Sequence, residues 1–354
     1  TLDRSSAASD VYKRQVLGKE VTLKARNDYA WGPAKLDHQG RARLDEIKII
    51  VTPEDSVRIG ALLSNQAGFI RQIQAYDEQR VTDRKFPVYA ASTRGVNDSL
   101  AFRPDNERVA DVRVRKALLH ATNAKEIVQT LFTANYPQAK GVIVSTAAGF
   151  VDLSAELAFD EAKAKALLDE AGWVPQADGI RAKDGLPLVL STYESLNYLQ
   201  NREVLQLVAQ QWAKVGVKLN VLSGDLGSKT IDSLDPEKTA LIPAMVGRAD
   251  PDVIKSNYYP TNRNLLLQKG GISQKVKSFE DTRLNGLFDA IAQEPDTARR
   301  LALTQDVQRY LIEQAYVIPL FEEPQVFAGA PWLRDVDFEA VGRPSFYRTW
   351  IAPR

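Results

Sequence analysis

Asp111–Phe132 reads DVRVRKALLHATNAKEIVQTLF, and this stretch decides the fold. Val114, Ala117, Leu118 and Ala121 recur at i, i+3, i+4 and i+7, which draws one apolar stripe along a helix. Asn123 interrupts the pattern. With Glu126 three residues later it forms a capping-box-like restart ahead of Ile127, Val128 and Leu131. Periodicity alone therefore predicts two short helices with one break, a buried helical hairpin of the kind any α/β domain can hold.

The same logic extends in both directions. In Asp160–Trp173, DEAKAKALLDEAGW, Asp160 is a good N-cap and Ala164, Leu167, Leu168 and Ala171 share one face. Gly172 stops that helix in the left-handed conformation, and Trp173 packs behind it as a structural hydrophobe. Asp184-Gly185 marks a hairpin turn before the strand Leu188–Tyr193. Tyr198–Val215 places Val204, Val208, Trp212 and Val215 on one stripe, Gly216 ends it, and Val217–Leu222 alternates as a strand. Leu284, Leu287, Phe288 and Ile291 mark a further helix. Asp296 caps a long one lined by Leu303, Val307, Tyr310, Leu311 and Gln314, and Val317–Phe321 returns as a strand. Towards the N-terminus, Val21, Leu23 and Ala25 predict a half-buried strand. Ile47, Ile49 and Val51 predict another, and Val57, Ala61 and Leu62 a short helix after Pro53. Phe86–Thr93, FPVYAAST, is the expected strand crossing into a second lobe.

Composition bounds the partners. The chain has 354 residues and a formal net charge of +1. No concentrated basic surface is expected, so neither nucleic acid nor a polyanionic membrane is a predicted partner. No window approaches the roughly 18 apolar residues of a membrane span. Cysteine is absent, which removes disulfides, thiolate metal sites and cysteine nucleophiles.

The wording of three segments says more than their period. VRVRKALLHATNAKEIV resembles a pattern of the extracellular solute-binding proteins of ABC importers, in the dipeptide, oligopeptide and nickel-binding family. Arg115, Ala117, Ala121, Asn123 and Lys125 stand where that pattern wants them. DEAKAKALLDEAGW is similar to a second family segment and Gln314–Phe321, QAYVIPLF, to a third, in family order. Gly18–Gly32 is similar to a family strand as well. Two departures stand out: Leu63–Phe69 alters a turn the family usually carries, and Arg103 stands where Asn is common.

The resemblance implies an α/β, periplasmic-binding-protein-like two-lobed fold (class II or cluster C type), with a partial lobe one and a near-complete lobe two. Lobe one would comprise residues 16–85 and 322–354, and lobe two residues 86–321. The hinge is expected near Arg84–Tyr89 and Tyr316–Glu323. It implies capture of a peptide or other small-molecule solute by a monomer, and delivery to the transmembrane subunits of an ABC permease. No cofactor is implied. The implied location is the periplasm, or a lipid anchor outside the cell. Thr1–Gln15, TLDRSSAASDVYKRQ, has no apolar signal core and matches nothing in the family; it is expected to be foreign or disordered sequence ahead of an N-terminally truncated chain.

An enzyme would need a reactive constellation. His38 and His120 lie far apart, and no H-x-x-x-H, G-x-S-x-G or phosphate loop is present. Metal binding is not predicted, and His120 reads as a packed histidine. A hydrolase or transferase with an unrecognised site stays open as the alternative, as does a chaperone or receptor-presenting role on the same fold.

The candidate binding stretch is Ala244–Asn264, AMVGRADPDVIKSNYYPTNRN, too polar for core. Read alone, it is as well explained by a surface loop. The family resemblance favours binding, because relatives carry a comparable Asp-Pro-Asp segment on the cleft side of lobe two. In the peptide-binding branch an aspartate just ahead of Asp-Pro pairs with the peptide α-amino group. Here Arg248 is the nearest equivalent, ahead of Asp250 and Asp252. A guanidinium repels an ammonium group and suits a carboxylate or phosphate instead. Tyr258 and Tyr259 are expected to offer flat faces to a ligand, with Asn262 and Arg263 as further cleft groups.

Overall fold

In the computed structural model the described residues are 11–32, 34, 36–195, 200–233, 235–250, 252–258 and 281–353. Along the chain run β1 (Val11–Val16), β2 (Glu20–Ala25), β3 (Glu46–Ile50), α1 (Asp55–Leu63), β4 (Phe69–Arg71), α2 (Ala75–Asp83) and β5 (Val88–Ser92). Next come β6 (Val96–Phe102), α3 (Val112–Ala121), α4 (Ala124–Leu131), α5 (Glu161–Glu170) and three short strands, β7 (Val174–Pro175), β8 (Arg181–Lys183) and β9 (Leu186–Pro187). They are followed by β10 (Val189–Tyr193), α6 (Asn201–Ala213), β11 (Lys218–Leu222), α7 (Leu226–Ser233), β12 (Leu241–Val246) and α8 (Val253–Tyr258). The last are α9 (Thr282–Gln293), α10 (Thr297–Glu313), β13 (Val317–Phe321) and β14 (Pro324–Gly329).

The chain divides into two compact units, Thr1–Ala91 with Gln325–Arg354, and Ser92–Pro324. The boundaries differ from the expected 85/86 and 321/322 for a physical reason. β5 was expected to open lobe two, but it pairs with β14, which also pairs with β4. Its hydrogen bonds thus hold it in the first unit. There Phe69 stacks on Phe327 at 5.4 Å and meets Phe346 edge-on at 5.1 Å. The antiparallel sheet β1-β2-β3 forms a separate layer. Residues 11–15, expected to be foreign or disordered, form β1, with Val11 opposite Ala25 and Gln15 opposite Val21. Ile49 and Val51, expected on a covered face, are 49% and 57% exposed.

In the second unit β6 is the central strand, antiparallel to both β12 and β13. β10 and β11 form a parallel pair, and the Ala240 N–H donates to Ser191 O at 3.0 Å, which brings that pair alongside the foot of β12. Every residue of β6 is buried. The predicted helical pair is α3 and α4. Asn123 caps α4 by accepting from the Glu126 N–H at 3.1 Å. The reciprocal half of the capping box goes elsewhere. Gln211 of α6 accepts the Asn123 N–H at 2.9 Å and donates to Asn123 O and Glu126 Oε2 at 3.2 and 3.0 Å. The adjacent Trp212, fully buried, donates its indole N–H to Thr122 Oγ1 at 2.9 Å. The helix break is therefore bolted to α6. Replacing Gln211 by Ala leaves the half-buried Asn123 N–H without its acceptor, while Asn123 O keeps the Ile127 N–H and Glu126 meets solvent, so we expect a loss of about 1 kcal/mol in urea unfolding.

Local signals elsewhere behave as the sequence predicts. Asp160 accepts from Lys163 N and Asp296 from Arg299 N, capping α5 and α10. Gly172 and Gly216 adopt φ of +85° and +84°, and Trp173 is 4% exposed. Asp184-Gly185 turns β8 into β9 with both residues left-handed. At Gly216 an added Cβ would also lie 2.7 Å from Arg181 Cγ, so that helix end needs glycine twice over.

Candidate functional site

β12 carries the predicted binding stretch. It runs against β6, with a bulge between Ala244 and Val246, and then passes over the loop that precedes β6. The approach is backbone on backbone. A Cβ at Gly95 would sit 1.7 Å from Val246 O and 2.9 Å from Arg248 N, so residue 95 has room for hydrogen only. Gly247 likewise passes Thr93, with a Cβ placed there 3.1 Å from Thr93 Cβ.

Further segments meet at this end of the sheet. Ser92 Oγ lies 3.1 Å from Thr146 Oγ1 and accepts the Arg94 N–H at 3.3 Å. The Ser145 N–H donates to Glu322 Oε1 at 2.9 Å, and the Thr93 hydroxyl donates to Glu323 O at 3.3 Å. Residues 92–95, 145–146, 246–248 and 322–323 thus form one polar edge of the second unit. Two cations stand on it. Arg94, left-handed at φ +47°, and Arg248 are exposed, and neither guanidinium has an ion-pair partner among the described residues. Arg94 was absent from the sequence-derived set. Only the β6–β12 pairing brings it next to Arg248, and no local signal announces that.

The other predicted site residues separate. Asp250 and Asp252 are exposed, but Asp250 Oδ1 accepts the Asp252 N–H at 2.8 Å and Asp250 O accepts the Val253 N–H. Asp250 is therefore engaged in starting α8, as an Asx turn does. Tyr258 corrects the sequence reading. Its ring is fully buried at the end of α8 beside the buried Val253 and Ile254, so it packs as core instead of offering a face to solvent. In a six-residue helix the inward face is set by where the helix docks, which residue type does not encode. Tyr259, Asn262 and Arg263 lie outside the described residues.

The residues that carried the family resemblance are structural. Arg115, 3% exposed, donates to the carbonyls of Val109, Ala110 and Gln314 at 2.8, 2.7 and 3.0 Å, and its guanidinium lies 5.0 Å from the Tyr316 ring centre. Tyr316 and Tyr310 both donate to Asp281 Oδ2, and burial, reinforced by that hydrogen bond, raises both phenols, Tyr310 to about 12. Arg103, where the family prefers Asn, is buried and forked onto Asp105. The Nδ1–H of His120 donates to Ala158 O at 2.8 Å, and burial holds its pKa below the usual range. No group of three or more His, Asp or Glu side chains suited to a metal ion occurs among the described residues. The edge thus presents two cations and several hydroxyl groups on neighbouring segments.

Comparison with known proteins identifies the family. The family model for bacterial extracellular solute-binding proteins, family 5 (Middle), matches residues 11–264. The dipeptide-binding protein of Escherichia coli K12 is 24% identical over 321 residues, covering 89% of this chain and 55% of that protein. Heme-binding protein A of Haemophilus influenzae is 26% identical over 299 residues, covering 83% of this chain and 49% of its own. The chain thus spans about half the length of these relatives. Among solved structures, NikA from Brucella suis in complex with Fe(III)-EDTA superposes with a TM-score of 0.80 at 21% identity, over 97% of this chain and 68% of that one. The dipeptide-binding protein from Pseudoalteromonas sp. SM9913 in complex with Met-Leu does so at 0.73 and 16%, over 97% and 64%. Such likeness shows a shared α/β solute-binding-protein fold, and the family is one of binding proteins, not enzymes. The chain belongs to the bacterial extracellular solute-binding proteins, family 5.

Proposed function

We propose that this chain grips a small solute bearing a carboxylate or phosphate group, as part of a monomeric receptor outside the cytoplasm that delivers it to an ABC permease. Capture works by closure of two lobes over the ligand. Ligand contacts select the closed state, and no covalent step is required. The observation that carries this reading is the pair of exposed arginines, Arg94 and Arg248, on segments in backbone contact and without ion-pair partners among the described residues.

Charge sets the ligand class. Like charges at close range cost roughly 1 kcal/mol in bulk water and about four times that near a partly desolvated protein surface. An edge with two guanidinium groups therefore repels a free α-amino group, and Asp250, which could offset them, is already turned to the start of α8. An anionic group gains a planar, bidentate partner instead. The relatives named above as dipeptide- and heme-binding proteins, and the Fe(III)-EDTA bound in the NikA structure, span ligands of several charges. Family membership alone leaves the solute open.

The test is calorimetric titration with citrate, inorganic phosphate and Met-Leu as probes, on wild type and Arg248→Ala. We expect the anionic probes to bind more tightly than the dipeptide, and the substitution to weaken them at least about tenfold. Tight, sequence-tolerant binding of di- and tripeptides, unaffected by loss of Arg248, would overturn the reading.

A further inference from the structure

Asp98 and Glu323 are two buried carboxyl groups with no balancing cation among the described residues. Asp98 is 1% exposed on the central strand β6, and Glu323 is 4% exposed just past β13. Backbone pairing sets them together: Phe321 lies opposite Asp98 after a register shift at Pro319–Phe321, and Glu323 follows two residues on. Neither oxygen of Asp98, nor Oε2 of Glu323, receives an N–H or O–H donor among the described residues. The charge of Glu323 adds to burial in raising the Asp98 carboxyl, which makes the two neighbours.

Among the described residues the flanking segments hold no cation for them. The flanking strands are LIPAMV and VIPLF, and the loop behind, Gly141–Ser145, is GVIVS, all without a titratable side chain. Nearby along the chain, Glu322 accepts from the Ser145 N–H and Arg94 is exposed. On the helices against β13, Lys125 and Glu126 of α4 are exposed. The charged side chains of α10 are exposed or half-buried, and Tyr310 donates to Asp281. Two carboxylates so placed could not both be ionised without a large desolvation and repulsion cost, and one proton between them would satisfy the unpartnered oxygens.

We propose that Asp98 and Glu323 form a proton-binding site, sharing a proton that latches the end of β13, and the segment leading out of the second unit at Pro324, onto β6. The site adjoins the arginine edge, because Glu323 accepts the Thr93 hydroxyl at its backbone carbonyl, but the proton is held by side chains and does not depend on which solute is bound. Burial is the main cause that raises both groups, Asp98 well above the usual carboxylate range and Glu323 to about 7. In the unfolded chain both would ionise near pH 4. The folded state therefore keeps protons that the unfolded state releases, and stability present at low pH is lost as pH rises through about 7.

Unfolding by urea between about pH 5 and about pH 7 tests this on wild type and on a double variant, Asp98→Asn with Glu323→Gln, which keeps shape and one hydrogen bond. We expect the wild-type folding constant to fall by up to about tenfold more per pH unit than that of the double variant, the ceiling for one proton. Infrared difference spectra should show the C=O stretch of a protonated carboxyl group in folded wild type at neutral pH, absent from the double variant. Equal pH slopes, or a wild-type spectrum without that band, would overturn the proposal. Should the double variant fail to fold, the wild-type band alone decides.

Discussion

Replacing Arg115 by Met is expected to destabilise the second unit by about 3 kcal/mol or more. The methionine fills much of the volume but donates nothing, so the carbonyls of Val109, Ala110 and Gln314 lose their shared partner in a site 3% exposed. Each stranded buried acceptor costs about 1–3 kcal/mol, offset in part where water can enter. The guanidinium stack on Tyr316 goes as well. Arg115→Lys should fall in between, because one ammonium keeps the charge but cannot reach three carbonyls in the fork geometry of arginine. Urea unfolding at fixed pH measures both. If Arg115→Met lay within about 0.5 kcal/mol of wild type, the guanidinium would not be what joins the start of α3 to the end of α10.

The second large effect belongs to Gly95. A Cβ there lies 1.7 Å from Val246 O and 2.7 Å from Val246 C, far inside contact distance and against backbone that cannot swing away like a side-chain tip. Gly95→Ala must therefore push β12 off the loop before β6, at about 2 kcal/mol or more by comparison with overpacked cores. It also moves Arg248 relative to Arg94. The same variant should thus lose both stability and affinity for an anionic probe, whereas Arg248→Ala should lose affinity alone. Urea unfolding alongside calorimetric titration with citrate distinguishes the two patterns. A Gly95→Ala protein as stable as wild type would mean that the two segments are not in the contact described.

How far the sequence could be read follows from the range of each interaction. Asn123, Asp160 and Asp296 were legible as caps because the amide each one satisfies lies within three residues. Gly172, Gly216 and the Asp184-Gly185 turn were legible because a left-handed backbone is a property of a single position. The three family-like segments were legible as wording, yet the structure gives their most telling residue, Arg115, a scaffold task. Within the candidate site, Arg248 was singled out by its place ahead of Asp250. Tyr258 was misjudged because polar neighbours mask an inward-facing ring.

What the amino-acid order determined by itself is thus the kind and ends of most helices and the family to which they belong. Tertiary structure alone decided that β5 pairs with β14 and so stays in the first unit, and that Gln211 takes the amide a capping-box glutamate was expected to bind. It alone placed Arg94 beside the segment bearing Arg248 and closed Asp98 against Glu323. Those four outcomes join residues from about 80 to about 240 positions apart. Helical period and capping act within a turn or two of chain, whereas these contacts exist only once β6 has gathered its neighbours.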